Sequence, residues 1–287
     1  FFFWIIFIAM LDVIIVGYGL AGFNCAWQMK QRQKKYIVIS DPSQGASSNA
    51  AGICNPTVLK RYTLAWNGIQ FLDYALPYYQ SVETQLGTTF FDDLPIHRHF
   101  FKATEQNEWL VASQREGLST FLNPEVQKVT DRSIKNNAGF GILEHLGKLN
   151  INDLLNKFKD SQGNDRFREQ IFDYAALKIY RDKIVYKGIE AKKIIFCEGY
   201  GLKRNPWFDY LPLTGSKGEY LIIRTSKLSS KQIIKGPIFI SPLKEDLFWV
   251  GASFSRQDKT NIPSEQGKAW LIKKLDMLLN TPYKIVK

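Results

Sequence analysis

Apolar residues run without a break from Val13 to Val16, a pattern that fits a strand buried on both faces of a parallel sheet. The run passes straight into Gly17-Tyr-Gly19-Leu-Ala-Gly22. Beyond it the period changes. Phe23, Ala26, Trp27 and Lys30 recur at helical spacing, which predicts a helix with one buried face and a lysine stem lying along it. Lys34 and Lys35 stand where that helix should end, at its negative pole. A second apolar run, Tyr36 to Ile39, predicts the neighbouring strand and leads to Ser40 and Asp41.

In this context each glycine has a physical role. Gly17 allows a tight turn, Gly19 lets the backbone approach a pyrophosphate, and Gly22 lets the helix pack closely on the strand. Leu20, Ala21 and Gly22 open the helix, whose unpaired N–H groups and positive dipole end suit phosphate. Asp41 lies 22 positions beyond Gly19, close to the ~20 expected of the acid that binds ribose hydroxyls. Its charge also disfavours a 2′-phosphate. The segment therefore predicts a dinucleotide site, with NADP disfavoured.

The 287 residues allow one large domain or two interwoven ones. An apolar content of 45% and a charged content of 23% are those of an ordinary soluble globular protein. The net charge of +11 is high, but the lysines are scattered from Lys34 to Lys274, as on a solvated basic surface rather than a dedicated nucleic-acid face. Cys25, Cys54 and Cys197 lie far apart with no C-x-x-C pair, so buried free thiols in a reducing, cytoplasmic setting are expected. His97 and His99 share one face of a strand without a third ligand nearby, and no metal is expected.

Phe1 to Ala9 are aromatic and aliphatic, yet the stretch is shorter than the ~20 residues a membrane span needs. No basic region precedes it and no cleavage site follows it. Met10 is accordingly expected as the natural start, with residues 1–9 an upstream extension and no stable membrane span. A short membrane-seeking tail is the alternative.

Just past Asp41 comes Gly45-Ala-Ser47-Ser48-Asn49-Ala-Ala51-Gly52-Ile-Cys-Asn-Pro56. This run resembles the D-amino-acid oxidase/glycine oxidase family of FAD-dependent amine oxidoreductases, in which an S-x-x-A-A-G loop follows the ribose-binding acid. There the loop wraps the pyrophosphate and lies by the flavin ring. The resemblance makes Ser47, Ser48, Asn49, Ala51 and Gly52 cofactor residues. Some relatives carry a histidine before A-A-G that bonds covalently to the flavin; Asn49 stands there in this chain, which excludes that attachment. Four later segments are similar to the family in the same order. They are Gly147 to Leu155, Ala191 to Gly201, Lys217-Gly-Glu-Tyr220 with the strand after it, and Phe239 to Ser253. In the second of these, Gly199 is implied to lie against the cofactor.

What the resemblance implies is an α/β fold. A Rossmann-like, doubly wound parallel sheet binds FAD and is interwoven with an α+β substrate domain on a mainly antiparallel sheet. Residues 10–85 and 142–214 would form the FAD domain, and residues 86–141 and 215–282 the substrate domain. The implied reaction oxidises a primary or secondary, amino-acid-like amine by hydride transfer to the flavin, with a small-molecule amine as partner. Lys60 and Arg61 follow the A-A-G loop and are implied to lie near the flavin. Arg61 would hold a substrate carboxylate and Lys60 would supply positive charge.

Phe90, Phe91, Phe100, Phe101, Trp109 and Phe121 suit a sheet over the flavin, although ordinary core packing explains each one better. Arg98, Arg115 and Arg132 are candidates for facing an acidic substrate, with a surface role the better reading for each. One departure stands out. The family closes with a G-I/L-R-P strand, and none follows the amphipathic segment Trp270, Leu271, Leu275, Leu278 and Leu279. A truncated chain lacking part of both sites is therefore expected. Two alternatives stay open: a flavoenzyme modifying the wobble uridine of tRNA, whose phosphates the net charge would favour, and a non-catalytic FAD-binding fragment.

Overall fold

The computed structural model describes residues 10–41, 45–135 and 138–287, so the apolar segment 1–9 lies outside the described residues. Its helices are α1 (Leu20–Gln31), α2 (Ala46–Asn49), α3 (Gly68–Leu86), α4 (Ala103–Ser113), α5 (Ile151–Gln162) and α6 (Glu265–Leu278). The chain divides into two compact units, each built from two segments. The first holds residues 1–50 and 151–214, and the second holds 51–150 and 215–287. Residues 51–85 and 142–150 thus cluster with the second unit.

In the first unit the apolar run becomes the strand β1 (Leu11–Val16), flanked in parallel by β2 (Tyr36–Ser40) and by the strand Ile189–Phe196. Phe167–Glu169 extends the sheet beyond β2, again in parallel. On the other side, Ile184–Tyr186 and Leu177–Ile179 continue it with antiparallel pairing. Both faces are covered, which is why Val13 to Val16 are apolar without alternation. Ile14 and Val16 point into a layer with Ile37, Ile39, Phe172 and Tyr186.

Against the opposite face lies α1, with Gly22, Phe23, Ala26 and Trp27 buried as their spacing predicts. The Lys30 ammonium lies 5.1 Å from the Trp27 ring centroid, its stem laid along the apolar face. Ile151, Leu154, Leu155 and Phe158 form the buried stripe of α5, and Phe158 meets Phe23 edge to face at 5.2 Å.

The second unit is built on a seven-stranded sheet in the order Lys284–Ile285, Tyr220–Arg224, Leu247–Gly251, Phe239–Pro242, Ile233–Lys235, Ile96–His99 and Phe140–Leu143. Every neighbouring pair is antiparallel except Ile233–Lys235 with Ile96–His99. The hairpin expected from Phe239 to Ser253 forms with Phe239 opposite Gly251. Strand alternation divides its side chains between two layers. Ile223, Ile234, Ile240, Phe248 and Val250 pack under Leu271, Leu275 and Leu278 of α6. Ser264 caps that helix by accepting the Gly267 amide at 3.0 Å. Trp270 is left half exposed, with Lys274 beside its ring.

The aromatic middle region contributes in part to a core, with Phe90 buried and Phe101 exposed. Phe100, Trp109 and Phe121 join Tyr62, Ile96, Leu122 and Leu143 in one buried cluster. No helix among the described residues is long and apolar enough to cross a membrane.

Candidate functional site

The glycine turn is set by contacts that leave no space for side chains. Gly17 has φ +97°, and its amide donates to the Ile39 carbonyl at 2.8 Å. A Cβ there would collide with the Cys197 carbonyl, and one at Gly22 would collide with the Gly17 carbonyl. The helix therefore starts directly on the turn. No side chain caps α1 from its N-cap residue, Gly19. A side-chain acceptor at its start comes from further along the chain, where the Leu20 amide donates to Ser47 Oγ at 3.1 Å.

That bond brings the small-residue loop to the turn. Within α2, Ser48 Oγ and Asn49 Nδ2 both donate to the Gly45 carbonyl, at 3.0 and 2.7 Å. Asn152 of α5 fixes the far side by donating to the Ser48 carbonyl at 3.0 Å. The structure thus gathers Gly17, Gly19, Leu20, Gly22 and Ser47, with Ala21 exposed on the first turn of α1. Asp41 follows the carboxyl end of β2, half-buried. Gly199 opens a short 3₁₀ helix after the strand Ile189–Phe196. The Glu198 carboxylate just before it accepts from Tyr174 at 2.5 Å and Asn205 at 2.7 Å.

Ala51 and Gly52 belong to the second unit, where the Gly52 carbonyl accepts the Leu149 amide at 2.9 Å. The first-unit residues fit a dinucleotide: a bare backbone cradle, a helix start whose own N-cap residue has no side chain, and a carboxylate on the adjacent strand end.

Lys60 and Arg61 occupy the turn between the short paired strands Thr57–Val58 and Thr63–Leu64. Leu59 and Tyr62 on either side point into the core, so both cations are exposed. With Asn107, Glu108 and Arg115 they line a shallow basic cavity of about 490 Å³ against α4.

A second cationic group was only half legible in the sequence, which offered Arg98 but not the lysine beside it. Register places Gly141, Arg98, Lys235, Phe239, Gly251 and Tyr220 in one row across the seven-stranded sheet, opposite α6. The Lys235 ammonium lies 4.6 Å from the Phe239 ring centroid and donates to the Gly236 carbonyl at 2.9 Å. No carboxylate among the described residues forms an ion pair with it. Burial, then repulsion from Arg98, push its pKa down to about 8.

Arg98 pairs with Glu105 at 2.8 Å, while its buried Nε has no hydrogen-bond partner among the described residues. Tyr220 and Trp249 stack at 5.6 Å further along the face. The usable signal was strand parity: a lysine two places after Ile233 shares that residue's inward face. Arg132 is exposed.

His97 and His99 flank Phe140, at 4.7 and 5.2 Å. Burial lowers both, His99 to about 4, so both rings are neutral near pH 7. No group of three metal-ligating side chains occurs among the described residues.

The fold and the turn define a protein of the dinucleotide-binding α/β class. The chain belongs to the FAD-dependent oxidoreductase family DAO, whose model matches residues 12–286. Glycine oxidase from Geobacillus kaustophilus is 16% identical, with a TM-score of 0.75 over 94% of this chain and 78% of that one. Iminodiacetate oxidase from Chelativorans sp. BNC1 is 11% identical, with a TM-score of 0.65 over 96% and 82%. L-α-glycerophosphate oxidase from Mycoplasma pneumoniae, solved with FAD bound, is 16% identical, with a TM-score of 0.61 over 94% and 79%. The expected α/β class and the FAD cofactor are those of this family. The tRNA alternative finds no support in these matches.

Proposed function

We propose that the chain oxidises a primary or secondary amine carrying a carboxylate to the corresponding imine. The observation that carries this reading is the Arg98–Lys235 pair, two partly buried cations side by side on an aromatic sheet face. Lys235 has no carboxylate partner within the described residues, so an anionic group of the substrate would relieve the repulsion between the two cations. Glycine and iminodiacetate, named as substrates of two similar structures, are amines of this kind.

Gly17, Gly19, Leu20, Ala21, Gly22 and Ser47 would hold the pyrophosphate, and Asp41 the ribose. When bound, FAD supplies the two-electron acceptor for oxidation at a carbon next to an amine nitrogen. Phe239, Trp249 and Tyr220 give the sheet face the apolar surface that orients a small substrate. Lys60 and Arg61 are exposed and line their own cavity; in this reading they attract anions towards the second unit rather than hold the reacting molecule.

The test is an anaerobic titration of FAD-loaded protein with a panel of amines. Flavin absorbance should bleach with amino acids and N-substituted glycines, and not with the matching amines that lack a carboxylate. Equal bleaching by both groups would overturn the carboxylate assignment. No bleaching by any amine would overturn the reaction.

A further inference from the structure

Cys25 and Cys197 are 172 positions apart, yet their sulfurs approach to 3.8 Å, with the Cys197 thiol donating to Cys25. Cys25 lies in the second turn of α1, and Cys197 follows the strand Ile189–Phe196. Neither is sealed from solvent, because both are half-buried. The Cys197 backbone is also the wall against which Gly17 closes, and its Cβ would lie 3.7 Å from a side chain at Gly22. We propose that Cys25 and Cys197 are an oxidisable dithiol, a modification site at the root of the dinucleotide turn whose reagent is hydrogen peroxide.

The chemistry follows from the pair's asymmetry. The hydrogen bond from Cys197 lowers the Cys25 thiol, which favours Cys25 as the attacking thiolate. The same bond, followed by burial, raises Cys197 and keeps it protonated until the second step. Attack of the Cys25 sulfur on peroxide forms an S–O bond, breaks the O–O bond and releases hydroxide, which takes a proton to become water. Cys197 then gives up its proton and attacks the sulfenic sulfur; the S–S bond forms, the S–O bond breaks, and a second water leaves. Two thiols and one peroxide thus yield one disulfide and two waters. Closing the gap to the ~2 Å of an S–S bond moves α1 relative to the strand that walls Gly17. Cys54 offers a control within the chain: burial raises its thiol, and no other cysteine is bonded to it.

The experiment uses purified full-length protein and equimolar hydrogen peroxide in metal-free buffer. Free thiols counted in denaturant should fall from three to one, and dithiothreitol should restore them. A non-reduced digest should contain the peptide linking Cys25 to Cys197. In Cys197→Ser, peroxide should leave a sulfenic acid on Cys25 that dimedone traps. An unchanged thiol count would overturn the assignment. So would loss of Cys54 first, a disulfide between two chains, or oxidation of Cys25 to sulfinate without a cross-link. The thiol count and the linked peptide are read on the native chain, so they stand even if the serine variant fails to fold.

Discussion

At Gly17 one backbone torsion joins fold and function, since φ +97° and the Cys197 carbonyl leave no space for a methyl group. Gly17→Ala should cost about 2–4 kcal/mol, combining left-handed strain with overpacking. It should also purify with less FAD, checked by urea unfolding and by flavin absorbance per chain. At Lys235 the relevant quantity is charge. Lys235→Met should raise KM for a carboxylated amine about 10- to 100-fold, the loss of a hydrogen bond to a charged group, with FAD content unchanged.

Because burial holds Lys235 near 8, the Ki of an unreactive carboxylate should rise as pH passes 8 in the native chain and stay flat in Lys235→Arg. A pH-independent Ki in the native chain would remove Lys235 from the anchor. Stability moves the other way. Between about 8 and 10.4 the unfolded lysine binds the proton and the folded one does not, so the native chain should gain stability over Lys235→Met as pH rises. Paired urea titrations at pH 8 and 10 check the sign.

Among the elements, α1 and α5 are held by aromatic packing of Phe23 and Trp27 on Phe158. Phe158→Ala should therefore cost about 3–5 kcal/mol, measured as a shift in denaturation midpoint at constant m. β1 and α1 were legible because their signals are local: a continuous apolar run, three glycines and the spacing of Phe23, Ala26 and Trp27 need no knowledge of distant partners. The first half of the proposed cofactor cradle was equally plain for that reason. The opening of α5 was legible only through the family resemblance of Gly147 to Leu155. Ser47 was legible only as part of a small-residue run; its bond to the Leu20 amide joins the loop to α1. Lys235 beside Arg98, and Cys197 beside both Gly17 and Cys25, depend on pairings more than a hundred positions apart. Register, not composition, creates them. Sequence reasoning named Arg98 as a candidate but could not supply the neighbour that gives it meaning.

For the whole molecule the unusual property is that both units are discontinuous, the second beginning before the first is complete. β1 is central in its sheet, yet one of its two neighbours is the strand Ile189–Phe196. Such pairing carries a high loop-closure cost and slows folding. Pulse-labelled hydrogen exchange during refolding should show the amides of Ile14 to Val16 protected together with those of Ile194 and Ile195. Much earlier protection of β1 would mean that it folds with β2 alone. The same connectivity sets a clock during synthesis. At ~5–20 residues per second, the strand that completes the cofactor unit leaves the ribosome on the order of ten seconds after β2. Over that interval the central strand of the first unit's sheet is missing one of its two partners. A nascent chain in this state would be a natural client for a holdase, and the glycine turn would acquire its shape only after most of the protein had been made.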